Sequence, residues 1–293
     1  MLRYWMAKEI NCSSILSLIK ASQNQLYHDY MIQNVLLTSL IALLACCTIM
    51  FMVWLWAKKI NNAGVVDVFW ALNFPVITVI IFFLADGDEL RKILICIVFL
   101  LAELRLGLHL WRRVIGHLAE EEGRYQQLRK EWGIQADRNF FFFFQFQAIS
   151  NVLLAIPFLI ITVNAAHEIF TLEYIGLGIW LIAFVGEMIA DNQLSAFKKN
   201  PANKGKVCDV GLWNYSRHPN YFFEWLTWMA YFVFALASPW GFLAIISPAI
   251  ILYLLLKVTG VPNNEEQNLR SKPTAYKRYQ ETTSAFIPWF KKA

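Results

Sequence analysis

Long apolar runs separated by short polar clusters organise this chain. A helix needs roughly 20 apolar residues to cross a ~30 Å hydrocarbon core. Seven runs answer to that length: about Val35 to Trp56, Gly64 to Leu84, Ile93 to Trp111, Phe140 to Val163, Tyr174 to Ala196, Asn220 to Ala237 and Phe242 to Lys257. Only Ser238, Pro239, Trp240 and Gly241 separate the last two, a tight turn that predicts an antiparallel pair. The pattern therefore predicts an all-α, polytopic membrane helical bundle of about seven transmembrane helices. It divides the chain into an interfacial segment over 1–34, a transmembrane domain over 35–260 and a carboxyl-terminal tail over 261–293. The first thirty residues mix Lys8, Glu9, Lys20 and Asp29 with short apolar stretches, without a continuous apolar core or cleavage site. They read as an amphipathic segment lying on the membrane surface. The run Phe140 to Phe144, at a loop-to-helix junction, reads as an interfacial anchor.

Charge tests this division independently, because lysine and arginine accumulate on the cytoplasmic side of membrane proteins. The loop after the first run holds Lys58 and Lys59, the loop after the third holds six basic residues, the loop after the fifth holds five, and the chain from Lys257 onward holds seven. The opposite side holds Arg3, Lys8, Lys20, Arg91 and Lys92, which leaves Arg105 inside a span. The alternation predicts an amino end outside and a carboxyl end in the cytoplasm. Composition agrees: 58% of residues are hydrophobic and 16% charged, the balance of a bilayer-embedded chain. The net charge of +5 follows from the loops, so nucleic acid is not expected as a partner.

Several chemistries are discounted. The five cysteines show no C-x-x-C spacing and the five histidines are scattered, so no metal is expected. Gly176 and Gly178 lack the third glycine and preceding strand of a dinucleotide fingerprint, and no Walker loop occurs.

What remains is a set of ionisable residues within spans, each of which costs roughly 2.5–3.5 kcal/mol to insert and so calls for a partner or a role. They are Asp67, Glu103, Arg105, His109, Glu187, Asp191 and Glu224. Arg105, His109 and Arg112 recur at helical spacing and form one stripe; Glu187, Asp191 and Lys198 form a second; Asn220, Glu224 and Thr227 form a third. Such stripes form the walls of an anion-binding cavity, or they pair across helices, Arg105 with Asp191 or Glu103, and hold the bundle together.

The segment from Gly211 to Glu224 carries a more specific signal, with Asn220, Tyr221 and Glu224 in an N-Y-x-x-E spacing. It resembles the steroid 5-alpha-reductase C-terminal family, in particular its bacterial membrane branch, with Phe223 where that pattern has glycine. Glu187, Asp191 and Lys198, the loop residues Glu121, Arg124, Tyr125 and Arg129, and the closing Tyr276, Tyr279, Phe286, Ile287, Pro288 and Trp289 resemble further elements of that family.

The resemblance implies an NADPH-dependent reductase of a carbon–carbon double bond conjugated to a ketone, acting on a lipid-like substrate from the bilayer. It implies that Arg112 meets the cofactor phosphates, that Asp191 and Lys198 meet the adenosine end, and that Asn220 and Glu224 meet the nicotinamide half; Arg105, Glu187, Arg217, His218 and Tyr221 complete the expected cofactor set. His109 and Asp67 stand where the family has a tyrosine and a glutamate that act on the substrate, and Val66 stands where it has a glutamine. His109, held by Asp67 or Glu103, is the expected hydrogen-bond donor. The R-H-P-x-Y sequence from Arg217 to Tyr221, with Glu265 and Glu266, is also similar to isoprenylcysteine carboxyl methyltransferases, which use S-adenosylmethionine. A membrane methyltransferase and a non-enzymatic membrane binding protein thus stand as alternatives.

Overall fold

A computed structural model describes residues 12–116 and 118–291. Residues 1–11, with Arg3, Lys8 and Glu9, together with His117, Lys292 and Ala293, lie outside them. Among the described residues the secondary structure is helical, with one isolated bridge between Ser216 and Ser284. The helices are α1 (Cys12–Ile60), α2 (Val65–Leu84), α3 (Glu89–Ile115), α4 (Gly123–Trp132), α5 (Ala136–Leu154), α6 (Ile156–Thr162), α7 (Thr171–Lys199), α8 (Pro219–Ala235), α9 (Ile246–Tyr253), α10 (Val261–Ser271) and α11 (Pro273–Thr282). Among the described residues six helical stretches are long and apolar enough to cross a membrane. The sixth expected span is the 17-residue α8, about 26 Å long at ~1.5 Å per residue, the shortest that could cross.

From Cys12 the first helix runs unbroken for 49 residues, about 74 Å, so that among the described residues it continues through the stretch read from the sequence as a surface segment. Its outer part is fastened to neighbouring loops, with Asn34 donating to the Leu84 carbonyl at 2.9 Å and Tyr30 bonded to Asp86. The carboxyl-terminal tail from Val261 consists of α10 and α11, which fold back on the segment that leads into α8. The fourth span is broken at Pro157, where α5 ends and α6 begins, since proline cannot supply the amide a continuous helix requires.

Small residues and buried amides set the packing. Along α7, Gly176, Ala183, Gly186 and Ala190 form a narrow buried face against α8. A Cβ on Gly176 would stand 2.9 Å from Cβ of Phe234, and one on Gly186 would clash with Cε1 of the Phe223 ring. Backbones therefore approach closely, as small residues allow between membrane helices. Asn73 of α2 donates to Asn151 of α5 at 3.0 Å, and Asn151 donates to the Trp70 carbonyl at 2.9 Å. In an apolar interior each such amide needs its partner. Phe140 and Phe144 are buried, one helical turn apart, and Phe142 is exposed. The phenylalanine run thus serves the core on one face, with Trp132 edge-on to Phe140 and Arg129 over its ring, where an interfacial anchor was expected.

At one end of the bundle, Arg91 and Glu173 are wholly buried and paired at 2.5 Å. The guanidinium also donates to the carbonyls of Asn164 at 3.3 Å and Glu168 at 2.6 Å. Arg91, counted above as an outer-loop charge, is instead a lock on the loop before α7. The polar stripes lie toward the opposite end, here called the basic face.

Candidate functional site

Three groups of polar residues gather toward the basic face. The deepest is built across α3, α7 and α8. Arg105 pairs through Nη2 with Glu187 and through Nη1 with Asp191, the latter at 3.1 Å. Glu103 and Glu224 lie within electrostatic reach of the same guanidinium. Glu224 accepts a hydrogen bond from Trp228 Nε1 at 2.9 Å. The three expected stripes do meet, therefore, and they meet at Arg105: one arginine among four carboxylates.

The second group ties the Arg217 segment to the tail. Arg217 Nε stands 2.7 Å from Glu265, and its Nη1 donates to the carbonyls of Gln280 at 3.0 Å and Thr283 at 2.6 Å. Gln280 holds the other Glu265 oxygen at 2.8 Å. His218 is buried, 3.4 Å from Glu265 and stacked on Tyr221 with rings 5.3 Å apart. Burial pushes the His218 imidazole below its ordinary pKa, against the opposing pull of Glu265. Ser216 donates to the Phe286 carbonyl at 2.8 Å, Tyr279 is bonded to the Trp213 carbonyl, and Trp213 donates to the Ala190 carbonyl at 2.9 Å, which fixes the segment to both α11 and α7.

Beside this knot lies a cavity of about 550 Å³ between the end of α7, the loop that follows and helices α10 and α11. Lys198, Lys199, Lys204, Lys206, Arg217 and Lys272 line it, and none of its lining residues is an aspartate or glutamate. Its volume is of the order that small-molecule sites occupy. Its charge suits phosphate, since of the six cations only Arg217 is paired with a carboxylate among the described residues, and that carboxylate, Glu265, lies outside the wall.

The remaining expected residues sit elsewhere. Asp67 faces α4, accepting from Tyr125 at 2.7 Å and paired with Arg124, so it holds the basic loop and does not hold His109. Glu121 joins the same staple: Arg129 donates to it at 2.9 and 2.7 Å and the Ala63 amide at 2.8 Å. Partial burial raises the Glu121 carboxyl, but these donors outweigh it and hold the group below its usual range. His109 and Arg112 are exposed on α3, and neither bonds to any described residue. Asn220 is half-buried in the first turn of α8 and likewise makes no hydrogen bond among the described residues. The cavity lysines beyond Lys198 were not singled out in the sequence; their signal was the spacing K-K-x-x-x-x-K-x-K from Lys198 to Lys206, hidden in the charge count of a loop.

Comparison with known proteins adds a family. The family model described as protein of unknown function (DUF1295) matches residues 53–283. An uncharacterised protein of Schizosaccharomyces pombe is 27% identical over 187 residues, which cover 56% of this chain and 53% of that protein. The chain thus spans about half the length of the curated relative it matches. No solved structure matches.

Proposed function

The chain belongs to the DUF1295 family of proteins of unknown function, and from that premise and the site's geometry we propose that it is an integral-membrane, NADPH-dependent reductase of a conjugated carbon–carbon double bond in a lipid-like substrate. The observation that carries the reading is the cavity walled by lysine and arginine without a single acid. NADPH brings three phosphates to such a wall, and S-adenosylmethionine brings none. The relation of DUF1295 to steroid 5-alpha-reductase-like proteins supports the same reading.

On this reading Lys198, Lys199, Lys204 and Lys206 hold the phosphates, and Asn220, Tyr221 and Glu224 face the nicotinamide half. The cofactor supplies a hydride to the carbon beta to the ketone. His109, exposed on the bilayer side of α3, donates a hydrogen bond to the ketone oxygen and stabilises charge as it develops there. A lipid substrate enters laterally, which suits an exposed imidazole with no protein partner. The basic face is the cytoplasmic one, with the amino end outside.

A second reading has a specific observation behind it. The pair between Arg217 and Glu265 joins the R-H-P-x-Y segment to a tail acid, the two elements that resemble the isoprenylcysteine carboxyl methyltransferases. Calorimetry on the detergent-purified protein separates the two. Measurable NADPH binding that weakens with salt, with no heat from S-adenosylmethionine, supports the reductase, and the reverse ranking replaces it with the methyltransferase. Heat from neither leaves a non-enzymatic membrane protein as the reading.

A further inference from the structure

The group around Arg105 holds more carboxylate than its one guanidinium can neutralise. Nη2 of Arg105 serves Glu187 and Nη1 serves Asp191. Glu224 is held by the neutral Trp228 indole. Glu103 is 3% exposed and makes no hydrogen bond among the described residues, with Oε2 fully enclosed. Nε of Arg105 is also enclosed and unbonded, so it does not serve Glu103. A buried carboxylate without a donor is a costly state, and neighbouring carboxylates make it costlier. A carboxylic acid that carries its proton avoids that cost.

The helices around Glu103 offer little else that titrates. From α3 come Arg105 and, elsewhere along the helix, Glu89, Arg91, Lys92, Cys96, His109 and Arg112; from α7 come Glu187 and Asp191, with Glu173, Tyr174, Lys198 and Lys199 at the helix ends; from α8 come Glu224, Tyr221 in the first turn and the buried Tyr231, whose hydroxyl accepts from Trp180. On α2 the one such group is Asp67, committed to Arg124 and Tyr125, and α6 has none. Exposure of the carboxyl side chains falls from 25% at Asp191 to 9% at Glu187. Asp191 is thus the wet end and Glu103 the sealed one, with buried Glu187 and half-buried Glu224 between them.

We propose that Asp191, Glu187, Glu224 and Glu103 form a proton relay that opens at Asp191 toward the basic face and ends on Glu103 inside the bundle. The relay deepens the reductase reading and rests on it only for the fate of the proton. Reduction of an enone adds a hydride to the beta carbon, which oxidises NADPH to NADP⁺ and moves the double-bond pair into an enolate. A proton from the relay then forms the bond to the alpha carbon, and water at the basic face returns a proton through Asp191. Exchange of protons among carboxyls gathered around one guanidinium, directly or through water, needs no further reagent.

Infrared spectroscopy of the full chain in detergent, without cofactor, tests the proposal. At pH 7 a carbonyl band of a neutral carboxylic acid is expected, with its loss in Glu103→Gln and no fall in that variant's Tm. Asp191→Asn should keep the band but lose its shift on transfer to D₂O. If Glu103→Gln fails to fold, dicyclohexylcarbodiimide, which attacks protonated carboxyls in apolar surroundings, decides on the wild type: mass spectrometry should find the adduct on Glu103. An unchanged band in a folded Glu103→Gln, a lowered Tm, or no adduct on Glu103 overturns the relay. Since none of these readouts uses NADPH, a band that behaves as expected in a protein that binds no NADPH keeps the relay and removes the reductase.

Discussion

Arg217 and Glu265 lie 48 residues apart in the chain and are joined at 2.7 Å, with both side chains largely enclosed. The pair closes α10 over the start of α8 and so forms one wall of the lysine-lined cavity. Glu265→Ala leaves the Arg217 guanidinium enclosed without its carboxylate and should destabilise the fold by about 3 kcal/mol, the lower end for breaking a buried pair because both groups retain some solvent. Thermal unfolding in detergent measures it. A double-mutant cycle with Arg217→Met should show strong coupling, and additive losses would mean that the pair contributes nothing as a pair.

His218 predicts a pH dependence whose sign follows from its burial. Its folded pKa is depressed, so the neutral ring is favoured in the native state and the unfolded chain binds the extra proton. Stability is then complete above the unfolded value of about 6.5 and declines as pH falls below it. Unfolding midpoints from pH 7.5 to 5.5 should fall in the wild type and change less in His218→Gln. Equal slopes in the two proteins would place the titrating group elsewhere.

Phe223 and Gly186 form a complementary pair. Phe223 stands where the resembling family has glycine, and its ring occupies the space that a Cβ on Gly186 would need. Gly186→Ala should therefore cost about 1–3 kcal/mol through overpacking, and Phe223→Ala in the same chain should return part of it. Chemical denaturation of the four variants of this cycle checks the coupling. A Gly186→Ala protein of wild-type stability would show that the interface yields freely.

These pairs also show how far the sequence could be read. The spans were legible because the period and length of apolar runs depend on local composition alone, and the meeting of the Arg105, Glu187 and Glu224 stripes followed from helical spacing near one membrane face. The role of Asp67 was not legible. Its partners, Arg124 and Tyr125, arrive from a loop 57 residues away, and no period in the sequence encodes that approach. The docking of the tail was not legible for a similar reason: α10 and α11 are polar helices held through Arg217, Ser216 and backbone carbonyls, and hydropathy does not register such contacts. Phe140 and Phe144 were assigned to the membrane interface because they stand at a helix start, whereas their four-residue spacing places both against the core.

His109 is the residue on which the proposed chemistry turns, and its position makes the test clean. It is exposed on α3 and bonded to no described residue, so His109→Phe should alter stability by no more than about 0.5 kcal/mol, as for an ordinary surface position. NADPH affinity should also hold, because no residue of α3 lines the lysine cavity. Turnover of a lipid enone should fall by roughly 10²- to 10³-fold, the usual loss when one donor to a developing oxyanion is removed. His109→Gln, which keeps a donor at similar reach, should recover part of the rate with a flatter pH profile, since its amide does not titrate. Steady-state rates measured against NADPH oxidation distinguish the outcomes. A folded His109→Phe protein with full activity would take the imidazole out of the mechanism and direct attention to the Arg105 group, the other polar cluster that reaches into the bundle.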